Sequence, residues 1–359
     1  MFKRVLIANR GEIAIRIARA AAGLGVESVS VYSAADALSL HTRVTTQTRA
    51  LAAASADPVR PYLDIDALVE AARESGCDCV HPGYGFLAEN AAFARRCLAE
   101  GLAFIGPSAE TLELFGDKTK ARALAQSLGI PIVAGSAEAL ASADAAATAA
   151  KALGYPVMLK AAAGGGGRGM RMVAKPEAMA EAFARCQSEA AAAFGDGAVF
   201  LEKLIERPRH IEVQILADSH GDIVHLYERD CSIQQRNQKV VEIAPAPGLE
   251  GGLRGKILGD AIKLARAAGF ANAGTAEFLV SPEAGERYFI ECNPRIQVEH
   301  TVTEAVTGLD LVEAQFRIAA GETLAAMGLA SQAAVPQPRG FAVQARIVAT
   351  GGGVITAYK

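Results

Sequence analysis

The chain has 359 residues, of which 51% are hydrophobic and 21% are charged, and its formal net charge is −3. This length exceeds what one compact core usually serves, so two or three domains are expected. The nearly balanced charge provides no overall field for a nucleic acid or an anionic membrane, which argues against both as partners. No apolar run is long enough for a membrane helix, and no signal or transit pattern precedes the first strand-like run, so we expect a cytoplasmic protein.

The cysteines predict free thiols rather than a disulfide framework or a zinc site. None of them belongs to a Cys-x-x-Cys pair, and no other zinc-ligand spacing occurs. The six residues are Cys77, Cys79, Cys97, Cys186, Cys231 and Cys292. Buried thiols in a reducing compartment are the expected state.

The first hundred residues alternate short apolar runs with helical patterns. Strand-like runs lie at 5–8, 29–32, 79–81 and 103–105, and helical patterns lie at 12–23, 65–75 and 90–100. This alternation predicts βαβ units and a doubly wound parallel sheet. Ligands gather at the carboxyl ends of such strands, where glycine-bearing segments occur at 9–11 and 81–85.

An alanine-rich stretch follows a helix that we expect at 118–128. This stretch covers 136–195 and contains helical patterns near 137–153 and 176–194, with a glycine loop between them. Because alanine side chains fill little volume, we interpret the stretch as a separate small domain with thin packing and high mobility.

Strands return after the alanine-rich stretch. They are expected at 199–204, 211–217, 223–227, 275–280 and 288–292. His220 and Gly221 predict a hairpin turn between the second and third of these strands. A long helix at 253–268 interrupts the series, the segment 228–236 is too polar for a core strand, and 331–340 is interpreted as a surface connection.

The glycine loop at 164–169 fits G-x-G-x-x-G, which alone is weak evidence for a dinucleotide fold. A strand-like run precedes it at 157–160, and another follows at 170–173, whereas a dinucleotide-binding loop must open a helix. Glycines between two strands still let backbone N–H groups approach phosphate, and they let the loop move as a flap. Lys160 and Arg168 add positive charge. The alternative is a flexible hairpin tip without a ligand.

Two carboxylates are expected to face each other on a hairpin. If the strands at 275–280 and 288–292 are symmetric about Ala284, Glu277 lies opposite Glu291 with Cβ atoms ~5 Å apart. Like charges that close are destabilising unless a cation offsets them, and Mg²⁺ suits such a pair. The alternative is that one carboxylate is protonated or paired with Arg or Lys.

The strip after this hairpin alternates polar and apolar residues. If it is extended, Arg295, Gln297 and Glu299 share one face. A guanidinium, an amide and a carboxylate together can bind a small planar anion and take a proton from it. The alternative is a solvated face with one Arg–Glu ion pair.

Basic residues are concentrated between 207 and 239. They are Arg207, Arg209, His210, Arg229, Arg236 and Lys239. The segment 228–236 within this stretch contains no aromatic residues interleaved with its charges, as a nucleic-acid surface would require, so triphosphate or small-anion binding fits better. His210 is a candidate nucleotide contact because Arg209 and the carboxylates accompany it.

Eight ordered motifs resemble those of the biotin carboxylases, a family within the ATP-grasp superfamily. They lie at 7–14, 81–87, 116–118, 164–170, 208–210, 228–232, 238–242 and 295–300. The resemblance runs from residue 3 to about 348 and extends to the biotin carboxylase parts of acyl-CoA, pyruvate and urea carboxylases.

The resemblance implies an α/β (α+β) chain with the ATP-grasp fold. The implied parts are a pre-ATP-grasp domain (1–117), a connecting helix and linker (118–135), a lid with the glycine flap (136–204), a catalytic subdomain (205–330) and the start of an antiparallel C-terminal domain (331–359). A family member continues well beyond Lys359, so the last domain is expected to be truncated.

The resemblance also assigns the candidate site. Lys118, Lys160 and His210 are the implied ATP contacts, and Glu202, Lys203 and Leu204 meet the adenine. Other implied nucleotide contacts are Gly165, Gly166, Gly167, Met170, Gln234, Asn237 and Leu279. The implied metal ligands are Glu277, Glu291 and Asn293. The implied bicarbonate and biotin residues are Lys239, Arg295, Gln297, Val298, Glu299 as the base, Arg346 and Tyr84.

The implied reaction uses ATP with Mg²⁺ or Mn²⁺ and proceeds through carboxyphosphate to carboxylated biotin. The implied partners are a biotin carboxyl carrier domain, a carboxyltransferase and a second copy of the chain, and an acyl-CoA carboxylase of fatty acid synthesis is the first expectation for the whole system. Asn237 stands where many members have His, Ala162 and Ala163 replace Ser-Gly, and the sequence after Arg346 departs from the usual continuation.

Three other interpretations compete with this one. Another ATP-grasp ligase, of the carbamoyl-phosphate or purine type, would share the lysines, the flap and the carboxylate pair. An NAD-binding oxidoreductase is disfavoured by the strand after the glycine loop. A non-catalytic nucleotide-binding subunit is the third.

Overall fold

The computed structural model describes residues 1–52, 57–136, 138–162, 169–281 and 285–347. The first part of the chain forms a five-stranded parallel sheet with the strand order β3-β2-β1-β4-β5. Its strands are β1 (Arg4–Ile7), β2 (Glu27–Tyr32), β3 (Gln47–Ala50), β4 (Cys79–His81) and β5 (Ala103–Phe104). Its helices are α1 (Gly11–Gly23), α2 (His41–Val44), α3 (Ile65–Glu74), α4 (Ala91–Ala99) and α5 (Ala109–Gly116). The predicted doubly wound sheet is confirmed, with β3, α2 and α5 as additions.

The strand order of this sheet reverses between β1 and β4, so the loops that follow these two strands diverge. Such a switch point leaves a crevice at the carboxyl ends of the strands. The two predicted glycine-bearing segments border it, and Asn9 ties them together by donating to the carbonyls of Pro82 and Tyr84, each at 2.8 Å. Tyr84 is therefore placed on the wall of this crevice.

A helix and a small three-stranded sheet follow. Helix α6 (Lys118–Ser127) begins at Asp117, whose side chain accepts from the backbone N–H of Thr119 at 2.9 Å. The small sheet has the order β7-β6-β8 and packs against two helices. Its elements are α7 (Ala143–Leu153), β6 (Val157–Ala161), β7 (Met170–Val173), α8 (Met179–Phe194) and β8 (Val199–Lys203).

The glycine segment joins two antiparallel strands, as the sequence predicts. Lys160 on β6 pairs with Met170 on β7, and residues 163–168 between them lie outside the described ranges. The helix expected from residue 137 begins at Ala143, because the Ser142 hydroxyl caps it by accepting from the N–H of Ala145 at 3.2 Å.

The largest sheet has six strands in the order β13-β12-β9-β10-β11-β14. The strands are β9 (Arg209–Ala217), β10 (Ile223–Gln235), β11 (Gln238–Ala244), β12 (Asn272–Ser281), β13 (Glu286–Asn293) and β14 (Ala342–Ala345). The associated helices are α9 (Gly251–Ala267), α10 (His300–Thr307) and α11 (Leu311–Ala319). All neighbouring strands of this sheet are antiparallel.

Two features of this sheet correct the sequence-based expectations. The segment 228–236, expected to be too polar for a core strand, extends β10 as far as Gln235, and β11 was not predicted. A register shift between His225 and Glu228 changes the pairing, and Tyr227 there has a φ of +64°. The polar segment enters the core because its buried charge is compensated by side chains of neighbouring strands, as described below.

The segment expected to open a C-terminal domain contributes an edge strand to the same sheet. β14 pairs with β11, so Gln344 lies opposite Glu242. Within the described ranges, every helix is too short or too polar to cross a lipid bilayer. All six cysteines are buried free thiols, as predicted.

Candidate active site

The candidate site lies on one face of the six-stranded sheet. Polar and apolar side chains alternate from His210 to Gln214 along β9, so the polar ones all lie on this face. His210, Glu212 and Gln214 project from the same face of β9, since side chains two apart in a strand share a face. The intervening residues Ile211 and Val213 belong to the apolar cluster beneath α9. The sheet therefore presents a packed apolar face to α9 and a charged face to the site.

The two predicted metal carboxylates are paired across the hairpin. Glu277 on β12 and Glu291 on β13 are Cα partners, which confirms the register predicted from the sequence. The register shifts immediately afterwards, at Phe278, so the hairpin is not symmetric along its whole length. Glu277 is buried, whereas the Glu291 side chain is 35% exposed and lies 3.7 Å from the ammonium of Lys118.

Glu277 accepts hydrogen bonds at both carboxylate oxygens. Its Oε1 accepts from Lys239 Nζ at 2.9 Å, Asn293 Nδ2 at 2.8 Å and Gln297 Nε2 at 2.9 Å. Its Oε2 lies 2.6 Å from Nε2 of His210. The sequence left open that one of the two carboxylates pairs with Arg or Lys. Glu277 does so, since it is ion-paired with Lys239. Burial alone would raise the pKa of Glu277, but Lys239 and His210 outweigh it and hold that pKa well below its ordinary value.

The donor set around this hairpin suits a hard divalent cation. Glu277, Glu291 and Asn293 offer two carboxylates and an amide oxygen at adjacent positions of two paired strands. Mg²⁺ prefers such oxygen ligands and usually takes only one or two carboxylates together with substrate phosphates. The amide oxygen of Asn293 accepts from Arg295 Nη2 at 3.0 Å, so the same group links the hairpin to the next predicted segment.

Lys239 connects three buried carboxylates. Its Nζ lies 2.5 Å from Glu212 Oε2, 2.9 Å from Glu277 Oε1 and 2.8 Å from Glu299 Oε1. Burial would lower the pKa of Lys239, but the three carboxylates prevail and raise it well above its ordinary value. The side chain therefore stays charged and holds the predicted base next to the predicted metal carboxylate.

Arg229 is fully buried beneath these groups, and every one of its N–H donors has an acceptor. Nε donates to Glu212, Nη1 donates to Gln214 and Thr303, and Nη2 donates to Thr275 and Gln297. The bond to Gln297 Oε1 is 3.1 Å long and leaves Nε2 of that amide directed at Glu277. Arg229 thereby fixes the positions of Gln297 and of Glu212, which is one of the three carboxylates that bind Lys239.

The strip 295–299 is a bend and a turn, not the extended segment that the sequence predicted. Glu299 has φ −83° and ψ 9° and stands at the N-cap of α10, because the chain must turn there to start the helix. Gln297 and Glu299 still reach the same site, through the turn rather than through strand alternation. Arg295 reaches Asn293 and also donates to Glu89 Oε1 at 2.6 Å, and Val298 lies within the turn.

Glu299 lies between two cationic side chains. Besides its bond to Lys239, its Oε2 accepts from Arg346 Nη2 at 2.8 Å. Arg346 follows the edge strand β14, and its backbone N–H donates to Val240 O at 2.8 Å. The Tyr84 hydroxyl donates to Glu12 on the pre-ATP-grasp side of the crevice.

The predicted nucleotide contacts occupy the three-stranded sheet and the adjoining strands. Lys160 on β6 is ion-paired with Glu202 on β8, which also accepts from Arg122 Nη1 at 2.6 Å. The Lys203 ammonium is directed at the Gly154 carbonyl, 2.8 Å away, and the Leu204 N–H bonds to Pro156 O. The N–H of Lys203 likewise bonds to Ala134 O, so the ammonium of Lys203 and both backbone N–H groups already have partners within the chain.

The remaining predicted nucleotide contacts are dispersed. His210 Nδ1 lies 3.0 Å from Gln234 Nε2, and Leu279 is the strand partner of His210. Burial would lower the pKa of His210, but Glu277 raises it above its ordinary value. Asn237 occupies the turn between β10 and β11 with a φ of +61°, and Met170 begins β7. Gly165, Gly166 and Gly167 lie outside the described residues.

Several participating residues were not predicted from the sequence, among them Glu212, Gln214, Glu242 and Arg122. Glu212 and Gln214 had a usable signal, since they continue the alternation that starts at His210 and pair with Glu277 and Thr275 across the strands. Glu242 lies within the motif 238–242 but had no role assigned to it, and Arg122 gave no signal, because its partner Glu202 lies 80 residues away.

Comparison with known proteins agrees with this geometry. Residues 1–112 match the model of the biotin carboxylase N-terminal domain, and residues 117–327 match that of the carbamoyl-phosphate synthase L chain ATP-binding domain. The structure of a biotin carboxylase–β-γ-ATP complex from Campylobacter jejuni shares 44% identity, covers 96% of this chain and 76% of its own, and superposes with a TM-score of 0.89. The biotin carboxylase domain dimer of Hydrogenobacter thermophilus 2-oxoglutarate carboxylase, in complex with MgADP, ADP and bicarbonate, shares 44% identity over 96% of this chain and 74% of its own, with a TM-score of 0.90.

The fold and the site define a ligase of the ATP-grasp class. Within that class the chain belongs to the biotin carboxylase family, whose members are ATP-dependent carboxylating ligases. Pyruvate carboxylase 1 of Caenorhabditis elegans is 53% identical over 346 residues, which cover 96% of this chain and 29% of the relative. The chain thus spans less than a third of the length of the curated relatives that it matches.

Proposed function

We propose that this chain carboxylates biotin with bicarbonate at the expense of ATP. The observation that carries the proposal is the position of Glu299: one carboxylate oxygen is bound by Lys239 and the other by Arg346. Lys239 also binds Glu277, which accepts from Gln297 and is the strand partner of Glu291. A base, cationic donors and oxygen ligands for a cation are what the activation of a small carboxylate by a nucleoside triphosphate requires.

The nucleotide is assigned to the cleft between the lid and the six-stranded sheet. Lys118, Lys160 and His210 supply positive charge or N–H donors to its phosphates, and the glycine flap expected from the sequence lies outside the described residues. The backbone of 202–204 meets the adenine edge, and Gln234 and Asn237 lie on the ribose side. Lys160 leaves its ion pair with Glu202 when it turns to the phosphates, so nucleotide binding competes with that pair.

Glu277, Glu291 and Asn293 are assigned as ligands of a divalent cation. Magnesium held by these residues would supply positive charge that offsets the charge of the transferring phosphoryl group. The bonds from Lys239, His210 and Asn293 keep the Glu277 carboxylate ionised and fix its orientation.

In the first step Glu299 takes the proton of bicarbonate, which Lys239, Arg295 and Gln297 hold with the backbone of Val298. A bicarbonate oxygen then attacks the γ-phosphorus, and the bond from that phosphorus to the ADP oxygen breaks. The products of this step are carboxyphosphate and ADP. Closure of the lid excludes water, which would otherwise hydrolyse the carboxyphosphate.

In the second step carboxyphosphate separates into CO2 and phosphate inside the closed site. The phosphate accepts the proton of the biotin ureido nitrogen, and Arg346 stabilises the negative charge that develops on the ureido oxygen. The nitrogen then forms its bond to CO2. Tyr84, on the wall of the adjacent crevice, is assigned to the side of the bound biotin.

The remaining assignments concern the whole protein. We propose the domain division 1–117, 118–135, 136–204, 205–330 and 331–359, with biotin supplied by a carrier domain and carboxyl transfer by a carboxyltransferase. The relatives named above include pyruvate and 2-oxoglutarate carboxylases, so a 2-oxo acid such as pyruvate is a better final acceptor than the acyl-CoA expected first. A dimer and a cytoplasmic location remain predictions.

ADP release measured with and without bicarbonate and free biotin tests the proposed function. We expect ADP release that requires Mg²⁺ and bicarbonate and that rises with biotin, together with radiolabel transfer from bicarbonate to biotin. Stimulation by ammonia in place of biotin would instead indicate a ligase of the carbamoyl-phosphate type, which shares the ATP-binding domain model. Nucleotide binding without any turnover would contradict both.

A further inference from the structure

Glu242 is a buried carboxylate that lies next to the candidate site on β11. Its Oε1 accepts from Arg346 Nε at 2.5 Å, and its Oε2 is buried without a hydrogen-bond partner among the described residues. The described contact of this carboxylate is thus with the guanidinium of Arg346, and burial strengthens the attraction between the two charges.

Arg346 is held by two carboxylates that approach different edges of its guanidinium. Nε faces Glu242 and Nη2 faces Glu299. The pairing of β11 with β14 places these groups together, since Gln344 lies opposite Glu242 and the N–H of Arg346 bonds to Val240. Two fixed contacts on one planar group determine both its position and its plane.

If Glu299 acts as the base, its contact with Arg346 changes during the reaction, whereas the contact of Glu242 with Arg346 does not. Glu299 must turn its charge toward bicarbonate and then carry a proton, and both changes weaken its hold on Arg346. Glu242 takes no part in this proton transfer, and its burial isolates it from solvent. After the proton has moved, Glu242 is the anion that still holds the guanidinium.

We propose that Glu242 is a positioning residue that keeps Arg346 directed at the biotin ureido oxygen after Glu299 has been protonated. This inference rests on the proposed biotin carboxylase function. It separates the two steps of the reaction: Glu242 matters for transfer to biotin and little for the bicarbonate-dependent cleavage of ATP. A residue that merely supported the sheet would affect both steps together.

The test compares Glu242→Gln with Glu228→Gln. Glu228 is a matched control because it is buried on the neighbouring strand β10, accepts from Arg254 Nε at 2.9 Å, and also has a buried Oε2 without a described partner. We expect Glu242→Gln to lower the biotin-dependent rate by roughly tenfold or more, as small misplacements of a catalytic group do. Bicarbonate-dependent ADP release without biotin should stay within about twofold of the wild-type rate, and Glu228→Gln should change neither rate.

A double-mutant cycle with Arg346→Ala tests whether Glu242 acts through Arg346. Once the guanidinium is absent, Glu242→Gln should cause no further loss of biotin carboxylation. Multiplicative losses, or equal behaviour of Glu242→Gln and Glu228→Gln in an active enzyme, would overturn the positioning role alone. A wild-type chain without biotin-dependent turnover would overturn the proposed function, and the positioning role with it.

Discussion

Lys239 donates to Glu299 Oε1 at 2.8 Å, although the two residues are 60 positions apart in the sequence. Lys239 lies on β11, and Glu299 stands where the chain turns into α10. The same ammonium binds Glu212 and Glu277, so one cation links the predicted base to the predicted metal carboxylate. The positions of these acidic groups therefore depend on one another.

Replacing Lys239 with Met should reduce both stability and activity. The change leaves three carboxylates close together and buried, and breaking a buried pair typically costs about 3–5 kcal/mol. Urea unfolding should show this loss, while Lys263→Met, at a largely exposed lysine, should not. A Lys239→Met protein as stable as the wild type would show that the carboxylates are not held charged by this lysine.

Arg229→Lys is not a conservative change at this site. Lysine has at most three donors, so at least two of the five acceptors around the buried guanidinium would lose their partner. Each buried acceptor left unsatisfied costs about 1–3 kcal/mol, which a lower urea midpoint should report. The KM for bicarbonate should rise as well, because Gln297 loses its anchor. Arg254→Lys, at a partly exposed arginine, provides the comparison and should leave that KM unchanged.

Glu291→Gln tests the assignment of the cation ligands. Glu291 is partly exposed and Lys118 lies 3.7 Å away, so the substitution should leave the folded chain stable. The Mg²⁺ concentration for half-maximal ADP release should rise by on the order of tenfold, since a carboxylate ligand is lost. Glu286→Gln, near the start of the same strand, should have no such effect. An unchanged Mg²⁺ requirement in Glu291→Gln would place the cation elsewhere.

Two buried histidines predict a loss of stability in mild acid. Burial lowers the pKa of His81 to about 3 and that of His300 to about 4, whereas both titrate near 6.5 in the unfolded chain. The unfolded state therefore binds more protons between these values, so stability is complete above pH 6.5 and falls as the pH decreases toward 4. At pH 5.5 each histidine should cost about 1.4 kcal/mol.

The urea midpoint measured at pH 7.0 and pH 5.5 checks this expectation. The double variant His81→Asn, His300→Asn replaces both titrating rings with neutral amides and should reduce the difference between the two pH values. An equal difference in wild type and double variant would show that other groups cause the acid sensitivity.

Local patterns were sufficient to predict the parallel sheet, the strand after the glycine loop and the register of Glu277 with Glu291. Each depends on spacing within a short segment. The polar half of β10 was misjudged because Arg229 is compensated by residues of β9, β12 and α10, which no local pattern reveals. Alternation in the strip after β13 predicts an extended segment, but the chain bends there because helix α10 begins at His300.

The contacts around Arg346 show the same limit. Glu242 and Glu299 meet this guanidinium from distant parts of the chain, at separations of 104 and 47 residues. The sequence resemblance supplied Arg346 and Glu299, but the role of Glu242 depends on the pairing of β11 with β14. Contacts between residues this far apart in the chain cannot be predicted from local sequence patterns.

Bicarbonate-dependent ADP release by Glu299→Gln tests the central claim most directly. The amide keeps the size of the side chain, and its one carbonyl oxygen can still accept from either Lys239 or Arg346. It cannot take the proton of bicarbonate. We predict that bicarbonate-dependent release is lost while nucleotide binding persists. Wild-type rates in this variant would contradict the assignment of Glu299 as the base.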